Sequence, residues 1–268
     1  MSAVEIGAAL VKELRDLTGA GMMDCKRTLQ ETGGDIEAAR TLLREKGMAR
    51  AGKRADRETT EGLVGSTVAD GVGSIVGIGC ETEFVSETSE FRAYAEKVLR
   101  AVHASGPEAA AEFDTERLEL VAKLGENIVV VGAARVEGGT LAQYVHPPAH
   151  KIGVLVQLEG GTPELGRLLG MHVVFGRPEW NTRDDVPAEA IAAERQIFLN
   201  SDELQSKPEA AREKIVEGML GTRFFAAAPG GVLSDQTWIH DASKTVGQAL
   251  ADAGATVTSF TLVTVAGA

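Results

Sequence analysis

A chain of 268 residues, 44% hydrophobic and 25% charged, can bury a sizeable core, which excludes a peptide-sized scaffold and a largely disordered chain. Its net charge of -12 opposes loose attraction to nucleic acid or an anionic membrane, and no apolar run approaches the roughly 18 residues of a bilayer-crossing helix. Two cysteines, Cys25 and Cys80, stand far apart without C-x-x-C spacing, which argues against a disulfide framework or a thiolate metal site and predicts two free, buried thiols.

The opening MSAVEIGAALVKELRD breaks any apolar stretch with acids and lysine, so no secretory signal is read and the expected compartment is the cytoplasm. Ile6, Leu10, Leu14 and Leu17 recur at helical spacing up to TGAG, and a second stripe through Met22, Cys25 and Leu29 ends at Gly33-Gly34. Asp35 then stands as an N-cap before Ile36, Ala39, Leu42 and Leu43. Three helices in so short a span predict a small helical module. The following KGMARAGKRADR, residues 46–57, carries the basic excess and reads as a solvated helix or linker; no aromatics interleave with its charges as they do in a nucleic-acid strand binder.

Valine and isoleucine then alternate around Asp70-Gly71, a favoured hairpin turn. Ser89 is placed to cap a helix carrying Phe91, Ala95, Val98, Leu99 and Val102, and Thr115 another carrying Leu118, Val121 and Ala122. ENIVVVGAARVEGGTLAQYVH to KIGVLVQLEG holds three strand-like runs, the first two joined at Gly138-Gly139, and a helix starts near Pro163. Residues 187–220 carry two helical patterns separated by SKPE, an αα-hairpin. A last helix in SKTVGQALADAG and a strand TVTSFTLVTV return to complete the sheet.

The fold class predicted is α+β: an N-terminal three-helix module, then two α+β subdomains with antiparallel sheets and an inserted helical hairpin. The expected divisions are 1–56 for the module with its basic linker, 57–139 for the first subdomain, 140–184 with 233–268 for the second, and 185–232 for the hairpin.

Few motifs carry chemistry. The glycine-rich GVGSIVGIG lacks the spacing of a phosphate loop and the helix of a dinucleotide fingerprint, so it reads as a hairpin strand with little side-chain bulk. His146 and His150 are separated by two prolines and cannot share a helical face as zinc ligands. His103 and His172 fall in helical patterns, and neither can be tied to a nucleophile. A hydrolase using Cys80 would need a reactive, low-pKa thiol within reach of an imidazole.

Two features remain. Met22-Met23 puts two polarizable side chains at a helix start where both cannot face one small core; either one meets a partner or the core is loose and the other is a stray surface residue. Phe84, in the acidic and hydroxylic run CETEFVSE, either closes the core below the hairpin or stands out as an anchor for a pocket in another protein.

The blocks LRDLTGAGMMDCKRTL, GDIEAA, CETEFVS, KIGVLV, KPEAAREKIVEGM and SKTVGQAL, in this order, resemble the bacterial translation elongation factor Ts family along essentially the whole chain. The resemblance implies a guanine-nucleotide exchange factor for elongation factor Tu that makes and breaks no covalent bond and needs no cofactor or resident metal. It implies a ubiquitin-associated-like (UBA-like) first module, and an exchange loop of Thr82, Glu83, Phe84 and Val85 in which Phe84 wedges near the partner's magnesium site so that GDP leaves and GTP rebinds. Arg15, Met22, Met23 and Lys26 fall at family positions facing the GTPase domain of the partner, and His146, Ile239 and His240 at positions facing its β-barrel. The helical hairpin is the family's dimerisation protrusion, so a homodimer is an expected partner state, with no direct nucleic acid and no membrane. Two departures stand out: Glu83 replaces the family's usual aspartate, and Glu87 takes a place often held by lysine. A divergent adaptor that binds Tu or another protein through the UBA-like module without exchange is the alternative.

Overall fold

The computed structural model describes residues 6–52 and 54–265, so Lys53 of the basic stretch lies outside the described residues. The protein is α+β, and the contacts of its described residues divide it into two compact units, one within residues 1–65, 76–133 and 264–268 and one within residues 66–75 and 134–263.

The chain begins with α1 (Ala8–Thr18), α2 (Met22–Glu31) and α3 (Ile36–Gly52). Gly19 ends α1 by turning to φ 67° and returning its N–H to the Arg15 carbonyl, a conformation that costs glycine little. Asp35 caps α3 by accepting the Ala38 N–H at 3.0 Å. Val11, Leu14, Cys25, Leu29 and Ala39 fill the small core between these helices. Leu17 and Met22 were expected in that core, and both face outward, 58% and 57% exposed. Leu17 sits on the flank of the last turn while Val11 and Leu14 take the inward face, and Met22 is the first residue of α2, ahead of the turn that meets its neighbours. Most of the basic stretch up to Gly52 extends α3, which packs on the later helix α6 (Asp114–Leu124) so closely that a Cβ on Gly47 would lie 2.7 Å from the Ala122 methyl.

The first sheet has the order β1 (Glu61–Ala69), β2 (Val72–Cys80), β3 (Ile128–Glu137). Asp70 and Gly71 join β1 to β2 with φ 52° and 73°, both in the left-handed region that a tight two-residue hairpin requires. Gly62 permits the closest approach in this sheet, since a Cβ there would stand 2.0 Å from the Ile78 carbonyl oxygen. Over β2 and β3 lies α5 (Ser89–Ser105), which buries Phe91, Tyr94, Ala95, Val98 and Val102 against Ile78, Cys80 and Ile128. The cap of α5 is Thr88 rather than Ser89: its hydroxyl accepts the Phe91 N–H at 3.3 Å, and Ser89 is already in the first turn. Likewise Thr115 lies within α6, which starts at Asp114 out of a 3-10 turn, Pro107–Phe113.

The second sheet has the order β4 (Thr140–Val145), β5 (Ile152–Gly160), β6 (Ala255–Thr264). β4 and β5 run antiparallel with Thr140 opposite Leu158 and Val145 opposite Gly153. Gly138-Gly139 joins β3 to β4 as the sequence indicates, and the two strands belong to different sheets. The Gly138 N–H bonds the Gly71 carbonyl at 3.0 Å, and Gly139 is pressed against the Leu158 carbonyl, where a Cβ would stand at 2.6 Å.

On β4 and β5 lies α7 (Pro163–Gly176), capped by the Thr162 hydroxyl accepting from Leu165 N–H at 3.2 Å. The helical segment follows as α8 (Ala188–Leu199), the single turn α9 (Asp202–Gln205) and α10 (Glu209–Met219), around Phe198, Leu204, Val216 and Leu220. A π-helical turn, Leu220–Phe225, continues α10. The last helix, α11 (Val246–Asp252), starts with a capping box between Thr245 and Gln248. Among the described residues no helix is long and apolar enough to cross a membrane.

Candidate functional site

β2 ends at Cys80, and the next residues form α4 (Glu83–Ser86), one helical turn. A turn this short cannot hold itself in water, because nucleation fixes several dihedrals for each hydrogen bond formed. Two buried residues pin it: Val85, 7% exposed, and Ser86, 6% exposed, face the core under α5. The Ser86 hydroxyl donates to the Glu83 carbonyl at 2.7 Å, and the Thr88 hydroxyl to the Val85 carbonyl at 2.8 Å. Phe84, between two fixed positions, is 89% exposed. Of the two readings of this ring, closure of the core is excluded, because the ring stands out in solvent.

The N-terminal side of the turn is held by residues whose role the sequence reasoning missed. The Glu126 carboxylate accepts the Glu81 N–H at 3.1 Å, the Thr82 N–H at 2.9 Å and the Thr82 hydroxyl. Glu81 returns the contact by accepting the Asn127 N–H at 2.7 Å, and it pairs with Arg57 at 3.3 Å. Asn127, 3% exposed, donates its side-chain amide to the carbonyls of Ala55 at 3.2 Å and Arg57 at 2.8 Å. Glu126 and Asn127 lie in the polar GEN before β3, and their partners are more than 40 residues away, so no local pattern marks them. Glu83 is exposed beside the ring, and Glu87 is paired with Arg92 at 2.7 Å.

Cys80 lies directly beneath this loop and is fully buried. Burial, with the Glu126 and then the Glu61 carboxylate nearby, pushes its thiol up to about 12. It is thus protonated near neutral pH, the reverse of the nucleophile a hydrolase reading requires. Cys25 is also free and buried. Among the described residues no three His, Cys, Asp or Glu side chains converge as metal ligands.

In the first module Arg15 on α1 and Met22, Met23 and Lys26 on α2 are all exposed, Met23 at 65%. Two unbranched thioether side chains in water at a helix start form an adaptable apolar surface flanked by cations.

In the second unit His146, after β4, is exposed and its Nδ1 lies 2.9 Å from the Tyr144 hydroxyl. Ile239 is 40% exposed, and the exposed His240 places its Nε2 3.0 Å from the Leu168 carbonyl of α7. The Trp238 ring lies 4.7 Å from the His240 ring and 5.3 Å from the His172 ring, between centroids. His172 is 1% exposed, its Nε2 is 2.9 Å from Gln236 Oε1, and its Nδ1 accepts the Ile239 N–H at 3.4 Å. This pattern is met by a neutral imidazole with its proton on Nε2, and burial lowers the His172 pKa accordingly. His172, a non-catalytic histidine in the sequence, and Gln236, which no sequence pattern marks, are the buried support of the exposed Ile239-His240 pair.

The sequence model of the family described as Elongation factor TS matches residues 81–267, which begins at this loop and covers more than half of the chain. The chain belongs to the elongation factor Ts family. Among its relatives in the family, the elongation factor Ts of Erwinia tasmaniensis is 41% identical over 260 residues, 96% of this chain and 90% of that one. Those of Sodalis glossinidius and Yersinia pestis are 41% and 42% identical, again over 96% of this chain and 90% of theirs. Membership in the elongation factor Ts family makes this a translation elongation factor.

Proposed function

We propose that the protein binds elongation factor Tu carrying GDP and speeds GDP release without covalent chemistry, by inserting the Thr82–Val85 loop near the partner's magnesium site. The observation that carries this reading is Phe84, an 89% exposed aromatic ring between residues anchored on both sides. A ring already held out requires little ordering on docking, so its burial is available to drive insertion. Burying one phenylalanine is worth about 1.5 to 3 kcal/mol, which at about 1.4 kcal/mol per tenfold is a factor of order ten to a hundred. The rest follows by linkage: a surface that prefers the empty GTPase must weaken its nucleotide affinity by the same factor. GTP can then rebind.

In this reading residues 1–56 act as a UBA-like module whose Arg15, Met22, Met23 and Lys26 dock the partner's GTPase domain. The subdomains are residues 57–139 and residues 140–184 with 233–268, and His146, Ile239 and His240 on the second face the partner's β-barrel. Residues 185–232 form a protrusion through which two copies pair. The protein acts in the cytoplasm, on a protein partner rather than on nucleic acid or membrane.

The test is release of a fluorescent GDP from elongation factor Tu with wild type and Phe84→Ala. A release rate ten- to a hundredfold lower for the variant supports the wedge. Equal rates remove it, and binding without acceleration by either protein would make this chain a non-exchanging adaptor.

A further inference from the structure

Thr82 occupies the N-cap position of α4, where a threonine ordinarily accepts a backbone N–H from the first turn, yet its side chain makes no capping bond. Its hydroxyl is turned away and given to Glu126, whose carboxylate also takes the backbone N–H groups of Glu81 and Thr82. Three donors on one carboxylate fix both the position and the rotation of the peptide that leads into the turn. Reciprocally, the Glu81 carboxylate holds the backbone of Asn127, so the strand end and the start of β3 clasp each other. Asn127 ties the clasp to the Ala55–Arg57 segment that follows α3.

We infer that Glu126 is a positioning residue for nucleotide exchange: through Thr82 it sets the pose from which Phe84 enters the partner. The inference rests on the exchange reading of the Phe84 loop and deepens it. Without the clasp, Val85 and Ser86 still anchor the C-terminal side of the turn, but the peptide before Phe84 loses its three fixed bonds. The ring then reaches its pocket from many orientations instead of one. A contact formed only on the way to the nucleotide-free complex affects the maximal release rate and leaves first recognition of the GDP-bound partner nearly unchanged.

The experiment measures fluorescent-GDP release from elongation factor Tu at saturating and limiting concentrations of the exchange factor, with thermal melts of every variant. Glu126→Ala should lower the saturated rate at least tenfold and change the half-saturating concentration less than threefold. Glu126→Gln should stay within threefold of wild type, because its oxygen can accept both N–H groups while its amide donates to the Thr82 oxygen. Thr82→Val keeps the two backbone bonds and should lose less rate than Glu126→Ala, which keeps the proposal testable if the latter folds poorly. In the Phe84→Ala background, Glu126→Ala should cost less than a further twofold, as expected of residues acting through one group.

Glu126→Ala at the wild-type rate beside a slow Phe84→Ala, or losses from the two that multiply, would overturn the clasp's role alone. Phe84→Ala at the wild-type rate would remove the wedge from the exchange reading, and the clasp's role with it.

Discussion

Phe84 and Val85 are neighbours in the chain and opposites in environment: the ring is 89% exposed, and the valine keeps only 7% of its surface in water. Within a single helical turn, a side chain available to a partner stands next to the one that holds the turn in place. Substitutions at the two positions should therefore divide cleanly between function and stability. Phe84→Ala should leave the folded protein within about 0.5 kcal/mol of wild type, since a solvated ring makes few native contacts. Val85→Ala should cost about 2 kcal/mol through lost burial and a residual cavity. Urea unfolding of both checks the division.

The exposed methionines invite a similar separation. Met22 and Met23 are 57% and 65% exposed, so replacing both with glutamine removes apolar surface without opening the module's core. The melting temperature should be unchanged, while affinity for elongation factor Tu should fall at least tenfold if both are buried in the complex. Calorimetric titration beside a thermal melt measures both quantities.

Two glycines of the first hairpin should respond differently to alanine. At Gly71 the surroundings are open and only the φ of 73° resists a side chain, so the cost should be about 1 kcal/mol. At Gly62 the added Cβ meets the Ile78 carbonyl at 2.0 Å, and that oxygen belongs to the sheet backbone and cannot move aside. Gly62→Ala should cost more than about 3 kcal/mol and lower the soluble yield sharply. Denaturant midpoints of the two variants test the contrast.

His172 gives the stability a defined pH dependence. Burial lowers its folded pKa below the unfolded value of about 6.5, so the unfolded chain binds this proton more readily. The stabilisation from a neutral His172 is complete above that unfolded value. It is lost progressively as pH falls from there toward the folded pKa, below which no further loss arises from this residue. Protonation also removes the Nδ1 lone pair that accepts the Ile239 N–H, so loss of the Ile239-His240 support should accompany the change. Between pH 7.5 and 5.5 the urea midpoint should fall for wild type and fall less for His172→Asn.

Helical spacing, the Asp70-Gly71 turn and the Asp35 cap made the order and type of most elements legible, because each is written in neighbouring residues. Where the local signal was shared between adjacent candidates it misled: Ser89 stood beside Thr88, the residue whose hydroxyl reaches the Phe91 N–H. Leu17 and Met22 continued an apolar period beyond the stretch where a neighbouring helix was present to cover it. The two glycines between β3 and β4 indicate a turn, but whether the flanking strands pair depends on where each strand finds its partners, and β4 pairs with β5.

By itself the sequence determined the alternation of helices and strands, the family, and the presence of one aromatic in a polar loop, all of which depend on residue type and spacing along the chain. Only the tertiary structure decided that Phe84 points into water, that Thr82 serves Glu126 instead of its own helix, and that His172 and Gln236 stand behind Ile239 and His240. The reason is physical: burial and hydrogen bonding are properties of groups brought together from 44 and 64 residues apart, and the identity of a residue does not state which distant neighbour will cover it.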